Sequence, residues 1–479
     1  MKRIAKIKGW IEVPKLYLTD GEYRRFTRDY TYTNGAYEAQ RRQGIVKITA
    51  EPTVAGYVED DKILYLPRGA MSELKRNGWG FVDERLEGRV LSRNVTKNEI
   101  FKPKEEYSQQ EFVGALVAAL VAEKSAFGVA FCGFGKTIVG AEIIRRLSRS
   151  TLIIVHRDFL SEQWIEAINM ILPNAKIGKV RQDRCDTGED FDIVIASLQS
   201  LAVRDYGEDF YNSFGLVLSD ESHILGAKTW QEVLPKFPAM RRLLLTATPE
   251  RKDNLHQIFF NHVCEPTYTA ENISTDVKVY QRKTGLQLET WQYVNRWNQK
   301  VNRGRLIKAM VNDDKRNIKI VTAITDALLA GRQAVVLSDS REHLKMLEAG
   351  IRDRFKKETV PDIVYFVGAK SKKEKDALVE LRKVLHEKDL ILATWQMAAL
   401  GLNVPTLDTL FMATPRSAIQ QAVGRIIREV DDKKTPLVVD FVDENIKFCV
   451  GLMWARQREY RKLGYEGEFL KKEDLPEKQ

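Results

Sequence analysis

The run Ala130-Phe131-Cys132-Gly133-Phe134-Gly135-Lys136-Thr137 fits a phosphate-binding loop of the form A/G-x-x-x-x-G-K-S/T. Glycines at 133 and 135 let backbone N–H groups curl round phosphates, and a helix beginning behind them aims its positive end at the same place. Lys136 can reach the β- and γ-phosphates of a nucleotide, and the Thr137 hydroxyl can hold Mg²⁺. Downstream, Asp220-Glu221-Ser222-His223 follows the apolar run Gly215-Leu216-Val217-Leu218, which places two adjacent acids at the end of a strand. Together the two signals predict a nucleoside triphosphatase.

Such residues must be held by regular elements, and the flanking sequence supplies them. Residues 127–131 are apolar and strand-like, and 138–147 are helical in pattern. From 101 to 275 the signals alternate: strands at 151–155, 191–196, 216–218 and 242–245, with a helix at 159–170. Alternation with short loops predicts an α/β domain with a mostly parallel sheet, its chemistry just past the carboxyl ends of the strands. The pattern resumes over 305–465, with strands at 334–337, 363–366, 390–393, 410–412 and 437–441. Helices are expected there at 342–352, 372–386, 396–400 and 418–428. Residues 1–100 form a strand-rich N-terminal domain, with strands at 44–50, 53–58 and 62–66 and a helix at 71–77. Between the two α/β domains, 276–304 reads as a linker or helical insertion. There Trp291, Val294, Trp297 and Val301 recur at helical spacing and predict an amphipathic helix packed on a core. Residues 466–479 are a charged tail, frayed from 471 onward.

Composition sets the class. The 479 residues are 44% hydrophobic and 30% charged, as in ordinary globular proteins. No run approaches the about 18 apolar residues of a membrane span, and no apolar region follows the basic N-terminus. Cysteines at 132, 185, 264 and 449 form no C-x-x-C pair, which argues against structural zinc and disulfides and fits a reducing cytoplasm. His256, His262 and Cys264 lie close in sequence without ligand spacing. The net charge of +10 favours polyanions, and residues 1–50 hold eleven lysines and arginines against five acids. The densest segment, Tyr23-Arg24-Arg25-Phe26-Thr27-Arg28-Asp29-Tyr30-Thr31-Tyr32, interleaves cations with aromatics. Arg24 and Arg25 could neutralise DNA phosphates while the rings stack on bases; the bland alternative is a strand with its aromatics partly in the core.

Taken in order, the motifs of residues 101–460 resemble those of the superfamily two helicases and translocases. That resemblance implies two RecA-like domains in tandem, with ATP and Mg²⁺ bound in the cleft between them. Within Tyr107-Ser108-Gln109-Gln110-Glu111-Phe112-Val113, Gln109 corresponds to the adenine-reading glutamine, although Ser108 interrupts the usual Tyr-Gln pair. Asp220 would hold Mg²⁺ through water, and Glu221 would orient or deprotonate the attacking water. His223 would couple that site to Thr246-Ala247-Thr248-Pro249. Gln421-Ala422-Val423-Gly424-Arg425-Ile426-Ile427-Arg428 resembles the sixth motif, with Arg428 the leading arginine finger and Arg425 close behind. The fifth motif runs from Ala393-Thr394 to Gly401-Leu402-Asn403-Val404-Pro405, where Gly401 lies beside the nucleotide and Asn403 replaces a usual Asp. Nucleic-acid contacts fall on Arg157, Gln163, Ser197, Gln199, Ser338 and Thr394, from motifs whose hydroxyls, amides and cations grip backbone phosphates.

Within the superfamily, DESH, TATP, the Gln163-Trp164 pair and Q-x-x-G-R-x-x-R are most similar to XPB-like and UvsW-like DNA motors. Leu64-Tyr65-Leu66-Pro67-Arg68-Gly69 resembles an element preceding the motor in phage branch-migration helicases, the T5-type recombination helicases among them. The expected protein is a monomeric ATP-dependent DNA helicase acting on branched or forked duplexes in a bacterial or phage-infected cytoplasm, without membrane or structural metal. An RNA helicase or ribonucleoprotein remodeller would share every ATP-site residue and is the alternative. A binding module with a dead ATP site is opposed by Lys136, Asp220, Glu221, Arg425 and Arg428 all being in place.

Overall fold

A computed structural model describes residues 3–42, 49–97, 99–131, 133–156, 158–188, 190–220, 227–251, 253–271, 276–296, 299–355, 359–368, 371–402, 404–417, 419–424 and 433–475. The chain divides into two compact units, Met1–Asn272 and Ile273–Gln479.

In the first unit an eight-stranded sheet runs in the order Arg184–Cys185, Ile177–Arg181, Ile193–Ser197, Thr151–Val155, Leu216–Asp220, Arg241–Thr246, Ser125–Val129, Tyr268–Thr269. Only Arg184–Cys185 pairs antiparallel. The central strands are buried throughout, because helices cover both faces of a parallel sheet. One face packs Phe112, Leu116, Ile143, Trp164 and Leu218; the other packs Phe127, Leu152, Val217, Trp230 and Phe259. The carboxyl ends of Leu216–Asp220, Arg241–Thr246 and Ser125–Val129 therefore lie side by side at one edge of the sheet.

Residues ahead of this sheet build their own smaller one, ordered Val58–Glu59, Ile63–Leu66, Ile11–Pro14, Ile4–Ile7, Gly80–Asp83. Strict alternation turns Ala5, Ile7, Ile11, Val13, Leu64 and Leu66 inward. Most of the cation–aromatic segment is the helix Asp20–Asp29, started by a Thr19–Glu22 capping box, and only its end, Thr31 and Tyr32, enters a short strand Thr31–Thr33. Tyr23, Phe26 and Tyr30 recur at spacings of three and four; Phe26 and Tyr30 enter the core and the Tyr23 hydroxyl donates to Glu59. Of the strands expected in this region, 53–58 and 62–66 are met by Thr53–Ala55, Val58–Glu59 and Ile63–Leu66. Most of 44–50 lies outside the described residues.

The N-terminal module and the large sheet share buried contacts. The Arg242 guanidinium, 1% exposed, donates to the carbonyls of His262 at 2.9 Å and Gly9 at 2.6 Å. Arg68 donates to Lys8 O at 2.8 Å and Met240 O at 3.4 Å, and the Gln231 amide donates to Ala55 O at 2.9 Å. A buried guanidinium left without acceptors is costly, so these bonds hold the module firmly.

The second unit holds a seven-stranded parallel sheet in the order Ile363–Phe366, Leu390–Thr394, Ala334–Ser338, Thr409–Met412, Leu437–Val442, Lys278–Lys283, Glu466–Glu468. Two expectations change here. Lys278–Lys283 is not linker but a strand beside Leu437–Val442, and the tail from Glu466 pairs with it. Where an amphipathic helix is expected across 291–301 there stand the short helix Thr290–Tyr293 and an antiparallel pairing of Val294 with Val301, while Trp297 lies outside the described residues. Gln299 adopts a left-handed φ of 53° and the Asn295 N–H donates to Lys300 O at 2.8 Å, so the chain turns back; Trp291 is 66% exposed. No helix among the described residues is long and apolar enough to cross a membrane.

Candidate functional site

The phosphate-binding loop leaves strand Ser125–Val129 and enters helix Lys136–Leu147. Gly133 and Gly135 sit at φ of 96° and 89°, a conformation L side chains rarely adopt, so the backbone curls as the sequence pattern implies. Lys136 and Thr137 open the helix, where its first N–H groups lack intrahelical partners. The Lys136 ammonium folds back over the loop, 3.2 Å from Ala130 O and 3.4 Å from Phe131 O. A cation held by carbonyls at the loop entrance can exchange those contacts for phosphate oxygens, so the donor set suits a nucleotide triphosphate tail.

Gln109 begins helix Gln109–Ala122 and is 5% exposed. Its amide donates to Phe134 O within the loop, and its oxygen accepts from the Lys104 N–H at 2.8 Å. Both ends of the amide thus tie the loop to the segment ahead of the helix. Asp220 ends strand Leu216–Asp220 and is buried. Its Oδ2 accepts from the Trp164 indole at 2.9 Å, a charge-assisted bond in a dry setting. Trp164, fully enclosed, stands on helix Asp158–Ile171 and lies flush against the helix behind the phosphate loop. A Cβ on Gly140 would sit 2.5 Å from its ring, so only glycine lets the two helices close on this indole. One tryptophan therefore spaces the helix of the loop and aims the acid. The strand Arg241–Thr246 lies between those of Asp220 and the loop. Thr246 O accepts from the Ala130 N–H at 2.9 Å, tying the Thr246–Pro249 segment to the loop's start, and the Thr246 hydroxyl accepts from the Thr248 N–H at 3.2 Å within that segment.

Ser197 caps helix Leu198–Val203 by accepting from the Ser200 N–H at 3.2 Å, and Gln199 donates to His156 O at 2.8 Å. Both line an open groove of about 310 Å³ with Arg181, Gln182, Ser200, Val203 and Arg204. Gln163 is half-buried, one residue before Trp164. Arg24 is exposed, whereas Arg25 pairs with Glu73 at 3.0 Å and lies over the Phe26 ring.

In the second unit Thr394 precedes helix Trp395–Gly401 without a side-chain capping bond, and Gly401 closes that helix. Ser338 differs from expectation. It is 0% exposed, its hydroxyl bonds His343 Nδ1 at 3.0 Å and accepts from the Ser340 N–H at 3.1 Å, so it cannot reach a strand from there. His343 in turn bonds Asn317 at 3.0 Å, and burial pushes its imidazole down to about 3. The neighbouring Asp339 accepts from Arg303 at 2.9 Å, Thr414 Oγ1 at 3.1 Å and Arg416 Nε at 3.0 Å, while the Trp395 indole donates to Thr414 at 3.0 Å. This hub ties together the loops that follow strands Ala334–Ser338, Leu390–Thr394 and Thr409–Met412. Sequence reasoning missed it, as it missed the Trp164–Asp220 bond, although both residues stood inside quoted motifs. Glu221, His223, Arg157, Arg425 and Arg428 lie outside the described residues.

Residues 102–251 match the family described as Type III restriction enzyme, res subunit, and residues 317–429 match the helicase conserved C-terminal domain. An African swine fever virus protein provisionally named an ATP-dependent RNA helicase is 27% identical across 92% of this chain and 87% of its own length. A protein of Acanthamoeba polyphaga mimivirus with the same provisional name is 27% identical over 65% of this chain, a match spanning 59% of that protein. Among solved structures, S. cerevisiae Dbp5 bound to RNA and ADP BeF3 covers 79% of this chain and 94% of its own, at a TM-score of 0.52 and 12% identity. The structure of T4 UvsW aligns over 98% of this chain and 99% of its own, with 16% identity and a TM-score of 0.42.

Proposed function

We propose that this chain, an ATP-dependent helicase of superfamily two, is a translocase that works on branched or forked DNA in branch migration, fork remodelling, recombination or repair. The observation that carries this reading is the basic N-terminal module, held on the first α/β domain through Arg242 and Arg68 with Arg24 facing outward. A nucleic-acid arm gripped by that module would move with the ATPase domain, which suits an enzyme that drives two arms past each other. DESH, TATP and Q-x-x-G-R-x-x-R lend the DNA reading further support by their resemblance to DNA-directed motors.

ATP with Mg²⁺ supplies the phosphoanhydride whose hydrolysis drives movement. Around it, Lys136 and the loop N–H groups bind the phosphates, Thr137 and Asp220 serve the metal, and Glu221 takes the proton of the attacking water. Arg428 and Arg425 meet the charge that develops on the transferred phosphoryl group. The Trp164 bond keeps the Asp220 carboxylate pointed at its task, and His223 links the acids to Thr246. Gln109 reads the base once its amide exchanges its bonds to Phe134 O and the Lys104 N–H for the base edge, with Gly401 beside the nucleotide. Arg157, Gln163, Ser197, Gln199 and Thr394 contact the strand.

A second reading, an RNA helicase, is favoured by the names of the two viral relatives. The two readings share all ATP chemistry and part at the substrate. ATPase and strand displacement compared on single strands, duplexes, forks, four-way junctions and RNA duplexes decide between them. Strongest stimulation by a forked or four-way DNA supports the first reading, and strongest stimulation by RNA replaces it with the second.

A further inference from the structure

Helix Lys447–Lys462 places Trp454, Arg458 and Arg461 at spacings of four and three, on one face. The C-terminal segment crosses that face, and together they enclose a groove of about 410 Å³ lined by Trp454, Arg461, Phe469, Leu470, Lys471 and Lys472. The groove is built rather than incidental. Phe469 stacks on the buried Tyr460, with ring centroids 5.9 Å apart. Buried Gln457 donates to Leu470 O at 2.7 Å, and buried Gln281 accepts from the Leu470 N–H at 3.0 Å. These bonds fix the tail against the last strands of the sheet and hold the wall open.

We propose that this groove binds a single-stranded stretch of nucleic acid, with one base against the Trp454 indole and flanking phosphates on Arg461 and Lys472. Charge and shape select this occupant. Elsewhere on the same sheet and helix, Lys278, Arg282 and Arg456 face acids. Arg461 and Lys472 have no acid within ion-pair range among the described residues, and Lys471 meets the exposed Glu473 at 3.6 Å. Free cations beside an aromatic and apolar floor match the alternation of phosphate and base along a strand. An acidic peptide would use the cations but leave the ring face without a planar partner. None of these residues belongs to a motif of the motor, so the groove adds a hold on the strand outside the ATP-driven track. The proposal rests on the chain being a nucleic-acid motor.

The test measures binding of fluorescent oligo(dT) and oligo(U) to the full chain across a salt series, beside nucleic-acid-stimulated ATPase. Trp454→Ala should weaken oligonucleotide binding between about fivefold and a hundredfold, and Trp454→Phe should recover most of it. Arg461→Glu with Lys472→Glu, both at the surface, should flatten the log–log salt slope by about 1.4 for two lost single-strand contacts. In all three variants ATPase should still reach the wild-type maximum at saturating nucleic acid. Wild-type affinity and salt slope in both the Trp454→Ala and the double variant would overturn the groove while leaving the motor intact. So would binding of poly-glutamate at this groove that oligonucleotide cannot displace. A wild-type chain whose ATPase ignored every nucleic acid would instead overturn the motor reading.

Discussion

Replacing Trp164 by Phe removes one hydrogen-bond donor and the outer ring of a side chain that touches both the Asp220 carboxylate and the helix Lys136–Leu147. The lost bond is 2.9 Å long, buried, and made to a carboxylate. Bonds to charged groups contribute about 1.5–3 kcal/mol, and the ring atoms lost next to Gly140 add to that. For a unit of this size, 1 kcal/mol shifts the midpoint by about 2–4 °C, so the first thermal transition should fall by about 4–10 °C. Asp220 should also hold its orientation less well, raising the Mg²⁺ concentration needed for half-maximal ATPase. Gly140→Ala probes the same contact from the other side: its Cβ would stand 2.5 Å from the wild-type indole, an overpacking cost of about 1–3 kcal/mol. In the Trp164→Phe background that clash is relieved, so the double variant should be more stable than the sum of the two single effects by about 0.5–3 kcal/mol. Thermal scans and Mg²⁺ titrations of the four proteins provide the test. Additive effects together with an unchanged Mg²⁺ dependence would falsify the view that Trp164 spaces the helix and aims the acid.

Lys136→Ala should abolish ATP hydrolysis while leaving the thermal transitions in place, since the ammonium lies over the loop and not in the core; phosphate release and a thermal scan check both halves. Glu221→Gln should bind ATP and turn it over very slowly, because an amide cannot take the proton of the attacking water; nucleotide binding and single-turnover hydrolysis measured separately would expose a different role. Arg425→Ala and Arg428→Ala should lower kcat far more than nucleotide affinity, and a defect confined to affinity would make them ground-state ligands. His343 is held neutral by burial, its folded pKa of about 3 lying below the ordinary value of 6.5. Its contribution to stability is therefore full above about pH 6.5 and is lost progressively as pH falls towards 3, as the unfolded state binds the proton first. His343→Gln should flatten the fall in stability of the second unit between about pH 6.5 and 4, read by denaturant midpoints; an unchanged slope would assign that fall to other groups.

The phosphate loop, the acid at the end of Leu216–Asp220 and the strand order of chemistry were legible in the sequence because each is local. A loop of fixed spacing, an apolar run of strand length and a helix start all lie within about twenty residues, and strands buried on both faces announce themselves as unbroken apolar runs. Even the helix at Asp20–Asp29 is written in the three-and-four spacing of Tyr23, Phe26 and Tyr30, although the interleaved cations fit a strand or a binding surface equally well. Tertiary structure alone decided what spans distance. The Trp164 indole meets Asp220 across 56 positions, Arg242 meets Gly9 across 233, and Gln457 meets Gln281 across 176. Periodicity tells which face of an element is apolar but not which distant acceptor a buried donor will find. It likewise misled at 291–301, where a helical spacing of apolar residues was overridden by a chain reversal that pairs Val294 with Val301. Ser338 shows the same limit in a single hydroxyl: its place at a strand end was readable, but its enclosure by His343 follows from a helix that folds back over it.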